Sequence, residues 1–214
     1  AQDLGIPRSK LRVVFNGTEL PESVDAEQSS ANPSSSLKIL SVSNLIKLKG
    51  IDLTLKALAE LAARQPELAW TYNIVGDGPE YEPLKLLAQK LGLHNQVFFL
   101  GRLSYEKTMG EMLAADVFVL PSWAEAFGIV YLEAMARSLP TIGCIDNGVA
   151  DIITHGYDGL SVSPKAVGEL SSQIERTLES AEYRRKLGEN GRATAEKFSW
   201  EVNALTMLDI VSVQ

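Results

Sequence analysis

From residue 36 onward, short runs of β-branched and aromatic residues alternate with longer stretches in which apolar positions recur every three or four residues. The short runs suit strands buried on both faces and the longer ones suit amphipathic helices, so the alternation predicts βαβ units around a parallel sheet. Six strands are expected: LKILSVS at 37–43, WTYNIV at 70–75, QVFFL at 96–100, DVFVLP at 116–121, PTIGC at 140–144 and GLSV at 159–162. Helices are expected at about 50–64, 79–91, 105–114, 127–137 and 147–155, with Gly92, Pro121 and Pro140 as punctuation. After Pro164 the chain turns helical, through ELSSQIERTLES and EYRRKLGENGRATAEKF to a last segment at Trp200. The pattern therefore predicts an α/β fold, a single domain over 37–200 built on a parallel sheet of six strands with helices on both faces, and a helical tail at 201–214. Residues 1–36 read as an arm and a Ser/Pro-rich connector, ELPESVDAEQSSANPSSS, with almost nothing apolar between Val24 and Leu37.

Composition narrows the function classes. Of 214 residues, 45% are hydrophobic and 22% charged, enough apolar material for one real core. The net charge of −7 argues against a general affinity for nucleic acid and leaves small anionic ligands, held by local positive groups, as the plausible charged partners. Cys144 is the single cysteine, which precludes an internal disulfide and fits a reducing, cytoplasmic compartment. No run approaches the ~20 apolar residues of a membrane span. The start, AQDLGIPRSK, has neither a signal-peptide core nor an initiating Met, and is expected to belong to a processed chain or a piece of a longer one.

In an open parallel sheet ligands bind beyond the carboxyl ends of the strands, so the post-strand segments are where chemistry is sought. NLIKLKGID follows the first strand; a lysine there can reach a phosphate, and Gly50 permits close backbone approach, although a solvated lysine pair is the plainer reading. IVGDGPEYEPL has Gly76 and Gly78 around a sharp turn but lacks the third glycine of a dinucleotide fingerprint, since Tyr81 stands there, and Glu80 and Glu82 would repel an anion at the helix start. It is either a tight turn or glycine backbone lying beside a sugar or base. FFLGRLSYEK brings Gly101 and Arg102 to a strand exit, where backbone groups can read a flat heterocycle.

The fourth segment, SWAEAFGIVYLEAMA, is almost wholly apolar yet carries Glu125 and Glu133. A helix expected to begin near Phe127 has no acid in its first turn, so its amides at Phe127, Gly128, Ile129 and Val130 form an anion site. Eight helical residues at ~1.5 Å rise would separate the two acids by ~12 Å, placing one for ribose hydroxyls and the other for a second sugar on either side of a diphosphate. Glu133 could instead pair with Arg137 at i, i+4, whereas Glu125 has no such local partner.

These residues resemble a known family. The E-x7-E spacing in EAFGIVYLEAMA, preceded in order by KGID, VGDGP and FLGRL, is similar to the donor-binding domain of retaining glycosyltransferases of the GT-B fold, group-1 or family-4 type, over about Leu11 to Trp200. The family has two Rossmann-like domains facing across a cleft, one for acceptor and one for nucleotide sugar, and this chain resembles the second. VVFNGTEL is similar to the family's entry into that domain, so most of the acceptor half would be absent. The resemblance implies that Glu125 contacts the transferred sugar, Glu133 the ribose, the amides of Gly128, Ile129 and Val130 the diphosphate, and that Lys49 is the phosphate-binding lysine. Asn44 departs from the pattern: the family usually has an arginine there, and Asn cannot neutralise charge, so Lys47 or a group outside the chain must compensate.

The implied substrate is a UDP-, GDP- or ADP-sugar, with no cofactor and no metal; His94 and His155 lie outside any HxxxH or CxxC spacing and read as helix-end or surface residues. Many relatives act on lipid-linked acceptors, so peripheral association with the inner membrane face is a further expectation for the full-length enzyme. Competing readings are a non-catalytic sugar-nucleotide-binding module and another GT-B-like enzyme, such as a sugar-nucleotide epimerase or a phosphorylase. A pyridoxal phosphate phosphorylase is disfavoured because no lysine obviously serves a cofactor pocket.

Overall fold

The computed structural model describes residue 7 and residues 11–21, 36–145 and 148–212. Strands β1 (Leu37–Val42), β2 (Trp70–Val75), β3 (Val97–Gly101), β4 (Val117–Val119), β5 (Thr141–Cys144) and β6 (Leu160–Val162) all pair in parallel, in the order β3-β2-β1-β4-β5-β6. Helices α1 (Ile51–Arg64) and α2 (Tyr81–Lys90) step the chain from β1 outward to β3; α3 (Tyr105–Ala114) returns it across the sheet, and α4 (Ile129–Met135) leads on to β5. Because such crossovers are right-handed, the two directions of travel put α1 and α2 on one face and α3 and α4 on the other. The direction reverses between β1 and β4, which opens a crevice at the ends of those two strands.

The centre of the sheet is dry. Ile39 and Leu40 of β1 and Val117, Phe118 and Val119 of β4 are buried. The one hydroxyl in that stretch of β1, Ser41, is satisfied by the Tyr72 hydroxyl at 2.7 Å and by the Val119 carbonyl. After β6 come α5 (Val167–Glu179), packed on α1, and α6 (Ala181–Ala195), packed on α4; α7 (Trp200–Ser212) closes the described chain. The arm residues Leu11 to Pro21 lie against this end, with the Thr18 amide donating to the Phe198 carbonyl at 2.8 Å. The Ser/Pro-rich connector falls outside the described residues.

All six strands form where the apolar runs place them, trimmed by one or two residues at half of their ends, with β3 running one residue further, to Gly101. Two expected helices differ. The segment expected to be helical at 127–137 is helical only over Ile129–Met135, because Gly128 takes a left-handed φ of 85° and starts the helix late. The helix expected at 147–155 is a single 3-10 turn, Gly148–Asp151. Its continuation is lost because the Asp158 carboxylate takes the Thr154 amide at 2.7 Å, a local side-chain bond that competes with helix.

Two helical glycines give opposite expectations. A Cβ on Gly188 in α6 would sit 2.0 Å from the Ser138 carbonyl oxygen, whereas one on Gly110 in α3 meets nothing within 4 Å. In urea unfolding, Gly110→Ala is expected to stabilise by about 0.5–1 kcal/mol through helix propensity. Gly188→Ala is expected to destabilise by about 1–3 kcal/mol, as overpacking does.

Candidate functional site

The crevice is framed by two loops that hold each other. After β1 a 3-10 turn, Lys47–Lys49, ends at Gly50, whose φ of 71° both closes that turn and starts α1. A Cβ on Gly50 would lie 2.5 Å from the Pro121 carbonyl oxygen, so the close approach allowed there is to the β4–α4 loop. That loop answers with the Trp123 amide, which donates to the Leu48 carbonyl at 3.1 Å.

Between these loops the Lys49 Nζ and the Glu125 Oε2 are 2.6 Å apart, with 19% and 14% of the two side chains exposed. Glu125, which has no local partner, thus has one 76 residues away in the chain. The pair is mostly desolvated, so removing either member strands a charge, a costlier event than losing a surface ion pair. Gly148, the first residue of the 3-10 turn after β5, braces the arrangement: its amide donates to the Glu125 carbonyl at 3.0 Å, and a Cβ there would meet the Ala126 carbonyl oxygen at 2.1 Å. No sequence signal marks Gly148 as a site residue, since only a fold-level contact demands it.

Glu133 is in the opposite electrostatic state. It lies on α4, half-buried, and its anticipated partner Arg137 gives Nη1 to the Glu133 backbone carbonyl at 2.8 Å instead of to the carboxylate. Among the described residues no hydrogen bond reaches the Glu133 carboxylate. Burial pushes its pKa up, the Arg137 charge opposes this, and Glu19 of the arm adds to it. Only residues 129–133 of the span between the two acids are helical, so ~6 Å of helical rise applies in place of the ~12 Å expected from eight helical residues.

The remaining candidates divide by what surrounds them. The spaces beside Gly76 and Gly78 are filled by the β1 loop, at 1.8 Å from the Ser43 carbonyl oxygen and 2.6 Å from that of Leu45, so these glycines serve loop-to-loop packing. Gly101, at φ 68°, opens to free space beside exposed Arg102, and a Cβ on it would meet nothing within 4 Å. Asn44 is exposed, with its carbonyl turned to the Ile46 amide. The Phe127 ring stacks on Phe15 of the arm at 5.5 Å, with Phe198 edge-on to Phe15. Gly128 caps α4, whose first turn, beginning Ile129 and Val130, contains no acid. His94 and His155 are exposed, and among the described residues no group of three His, Cys, Asp or Glu is placed to hold a metal ion. No helix of the described residues is long and apolar enough to cross a membrane.

The chain matches the family of glycosyl transferases group 1 over residues 24–194. A D-inositol 3-phosphate glycosyltransferase of Corynebacterium jeikeium is 33% identical over 168 residues, covering 76% of this chain and 40% of the relative. Among solved structures, the apo lipopolysaccharide outer core galactosyltransferase WaaB superposes with a TM-score of 0.83 at 20% identity over 99% of this chain and 58% of the other. Anabaena Alr3699/HepE in complex with UDP-glucose superposes with a TM-score of 0.78 at 24% identity, over 95% of this chain and 57% of the other. At these identities the two superpositions show the fold: a Rossmann-like half of a GT-B structure. This chain spans about half of the length of most of the curated relatives it matches.

The state of Glu133 bears on stability. Its raised folded pKa means that ionisation opposes folding: the favourable contribution of the protonated form is complete below the ordinary carboxylate pKa and is lost as pH rises through the folded value. Glu133→Gln is therefore expected to melt above the wild type at pH 7, with the gap closing as pH falls below about 4.5. Melting temperatures across that range check it.

Proposed function

The chain belongs to the group 1 glycosyl transferases, and from that membership we propose that it is the donor-binding half of a retaining enzyme that moves a sugar from a nucleoside diphosphate to a hydroxyl acceptor. The observation that carries this reading is the half-buried Glu133 carboxylate with no hydrogen bond from any described residue. A desolvated carboxylate is stabilised by donors, and a ribose diol supplies two. Gly101 and Arg102 lie at the strand exit toward which the base extends.

On the other side of the α4 start, the amides of Ile129 and Val130, with Gly128 ahead of them, take the diphosphate together with Lys49. Phe127 contributes through its ring, which ties the loop to the arm. When phosphate arrives, Lys49 exchanges one oxygen anion for another, and the released Glu125 accepts hydrogen bonds from hydroxyls of the transferred sugar. The reaction breaks the bond from the anomeric carbon to the diphosphate oxygen and forms one to the acceptor oxygen, whose hydroxyl proton leaves with the departing diphosphate. The departing diphosphate gathers charge, which cations and amides fixed beforehand stabilise most effectively. Family membership supports the same assignment, as does the UDP-glucose complex of the Anabaena neighbour.

A second reading, a nucleotide-sugar-binding module without turnover, is favoured by Asn44. It stands where the resemblance calls for arginine and offers hydrogen bonds without charge. Lys47, two residues before Lys49 in the same turn, is the nearest cation in sequence to make up the difference.

Calorimetry with UDP, GDP and ADP separates these outcomes. One diphosphate is expected to bind, and Glu133→Ala is expected to weaken it about 10- to 100-fold, the range for hydrogen bonds to a charged group. Glu125→Ala is expected to leave the nucleotide bound at least as tightly, since Lys49 then has no carboxylate to give up, and to abolish any gain from the attached sugar. Equal affinity of the wild type for nucleotide and nucleotide sugar would remove Glu125 from the sugar site. Robust sugar transfer by the 214-residue chain alone would contradict the half-enzyme assignment.

A further inference from the structure

Resting on the donor-site reading above, we propose that Tyr105 is the wall against which the nucleoside lies, and that Glu19 of the arm is the residue that positions it. Tyr105 is the first residue of α3, four residues beyond the open Gly101, and its side chain is 46% exposed. Its hydroxyl donates to Glu19 Oε2 at 3.4 Å. A nucleoside with its base at Gly101 and its ribose at Glu133 would run beside this ring, which follows Gly101 by four residues and lies within electrostatic reach of the Glu133 carboxylate.

Glu19 is held in place from both sides. The Thr18 amide one residue before it donates to Phe198, and Arg192 Nη2 donates to the Pro21 carbonyl two residues after it at 3.1 Å. A carboxylate presented on so constrained a stretch of backbone fixes the phenol at one end. The ring face, which makes no hydrogen bond, is left for a flat partner. Arg137 adds a second sign that this corner is built for a polar guest: it is 9% exposed, yet among the described residues its Nε has no hydrogen-bond partner. Aromatic stacking on a base is tolerant of base identity, so this wall sets affinity for the nucleoside while backbone groups at the strand exit choose among bases.

The test compares UDP, GDP and ADP with inorganic pyrophosphate by calorimetry on the intact chain, with melting temperature measured alongside. Tyr105→Ala is expected to weaken the preferred nucleoside diphosphate about tenfold and pyrophosphate less than twofold. Tyr105→Phe and Glu19→Ala are each expected to cost about two- to threefold, and their combination no more than either alone, since both remove the same bond. A Tyr105→Ala variant that melts lower but binds the diphosphate as the wild type does would overturn the proposal, leaving Tyr105 a fastening for the arm. If Glu133→Ala weakens binding while Tyr105→Ala does not, this inference fails and the donor-site reading stands. If the wild type binds none of the three diphosphates, both fall.

Discussion

A single ion pair, Lys49 with Glu125, ties together the two loops that bound the crevice, and most of the local architecture serves to make that contact possible. Its partners leave different strands, β1 and β4, at the one place where the sheet's winding reverses. Gly50 lets the first loop pass within touching distance of Pro121, Trp123 ties the second loop to the first, and Gly148 supports the backbone of Glu125 from below. Each of these glycines stands where a side chain would collide with a carbonyl oxygen. An oppositely charged couple so largely removed from water is stable only while it is complete, which also makes it a ready exchange site: an incoming phosphate offers the lysine what the carboxylate now does.

The two glutamates of the apolar segment are therefore not equivalents. Glu125 is satisfied by a cation and becomes available only when that cation finds another anion. Glu133 is desolvated, lacks donors from the described residues, and sits beside a second carboxylate on the arm. A folded chain that keeps a carboxyl in this state loses stability at neutral pH, a pattern that clusters at functional positions. One helix thus carries a filled acceptor ahead of it and an unfilled one on it, with a short acid-free turn between them.

Much of this can be read from the amino-acid order. The runs of β4 and β5 are buried along their whole length and those of the other strands in part, so the strands stand out as short apolar runs, and the acid-free start of α4 is likewise visible. Readings fail where tertiary contact or a local competitor decides: Gly128 in the left-handed region delays α4 by two residues, and Asp158 unwinds what periodicity marks as helix after 147. Gly76 and Gly78 carry no dinucleotide fingerprint and are explained by the neighbouring β1 loop, a contact invisible in one dimension. The partner of Glu125 lies 76 residues away, and the Glu19–Tyr105 contact 86, beyond any helical or strand period. Family resemblance singles out Lys49 and Glu125, but for separate ligand groups and not for each other.

The most direct measurement is a crystal structure of the chain with a nucleoside diphosphate sugar bound. The account predicts Lys49 Nζ on a phosphate oxygen, Glu125 on hydroxyls of the sugar, and Glu133 on the ribose diol. A diphosphate seated elsewhere, with Lys49 and Glu125 still joined at 2.6 Å and Glu133 facing no ligand, would contradict it.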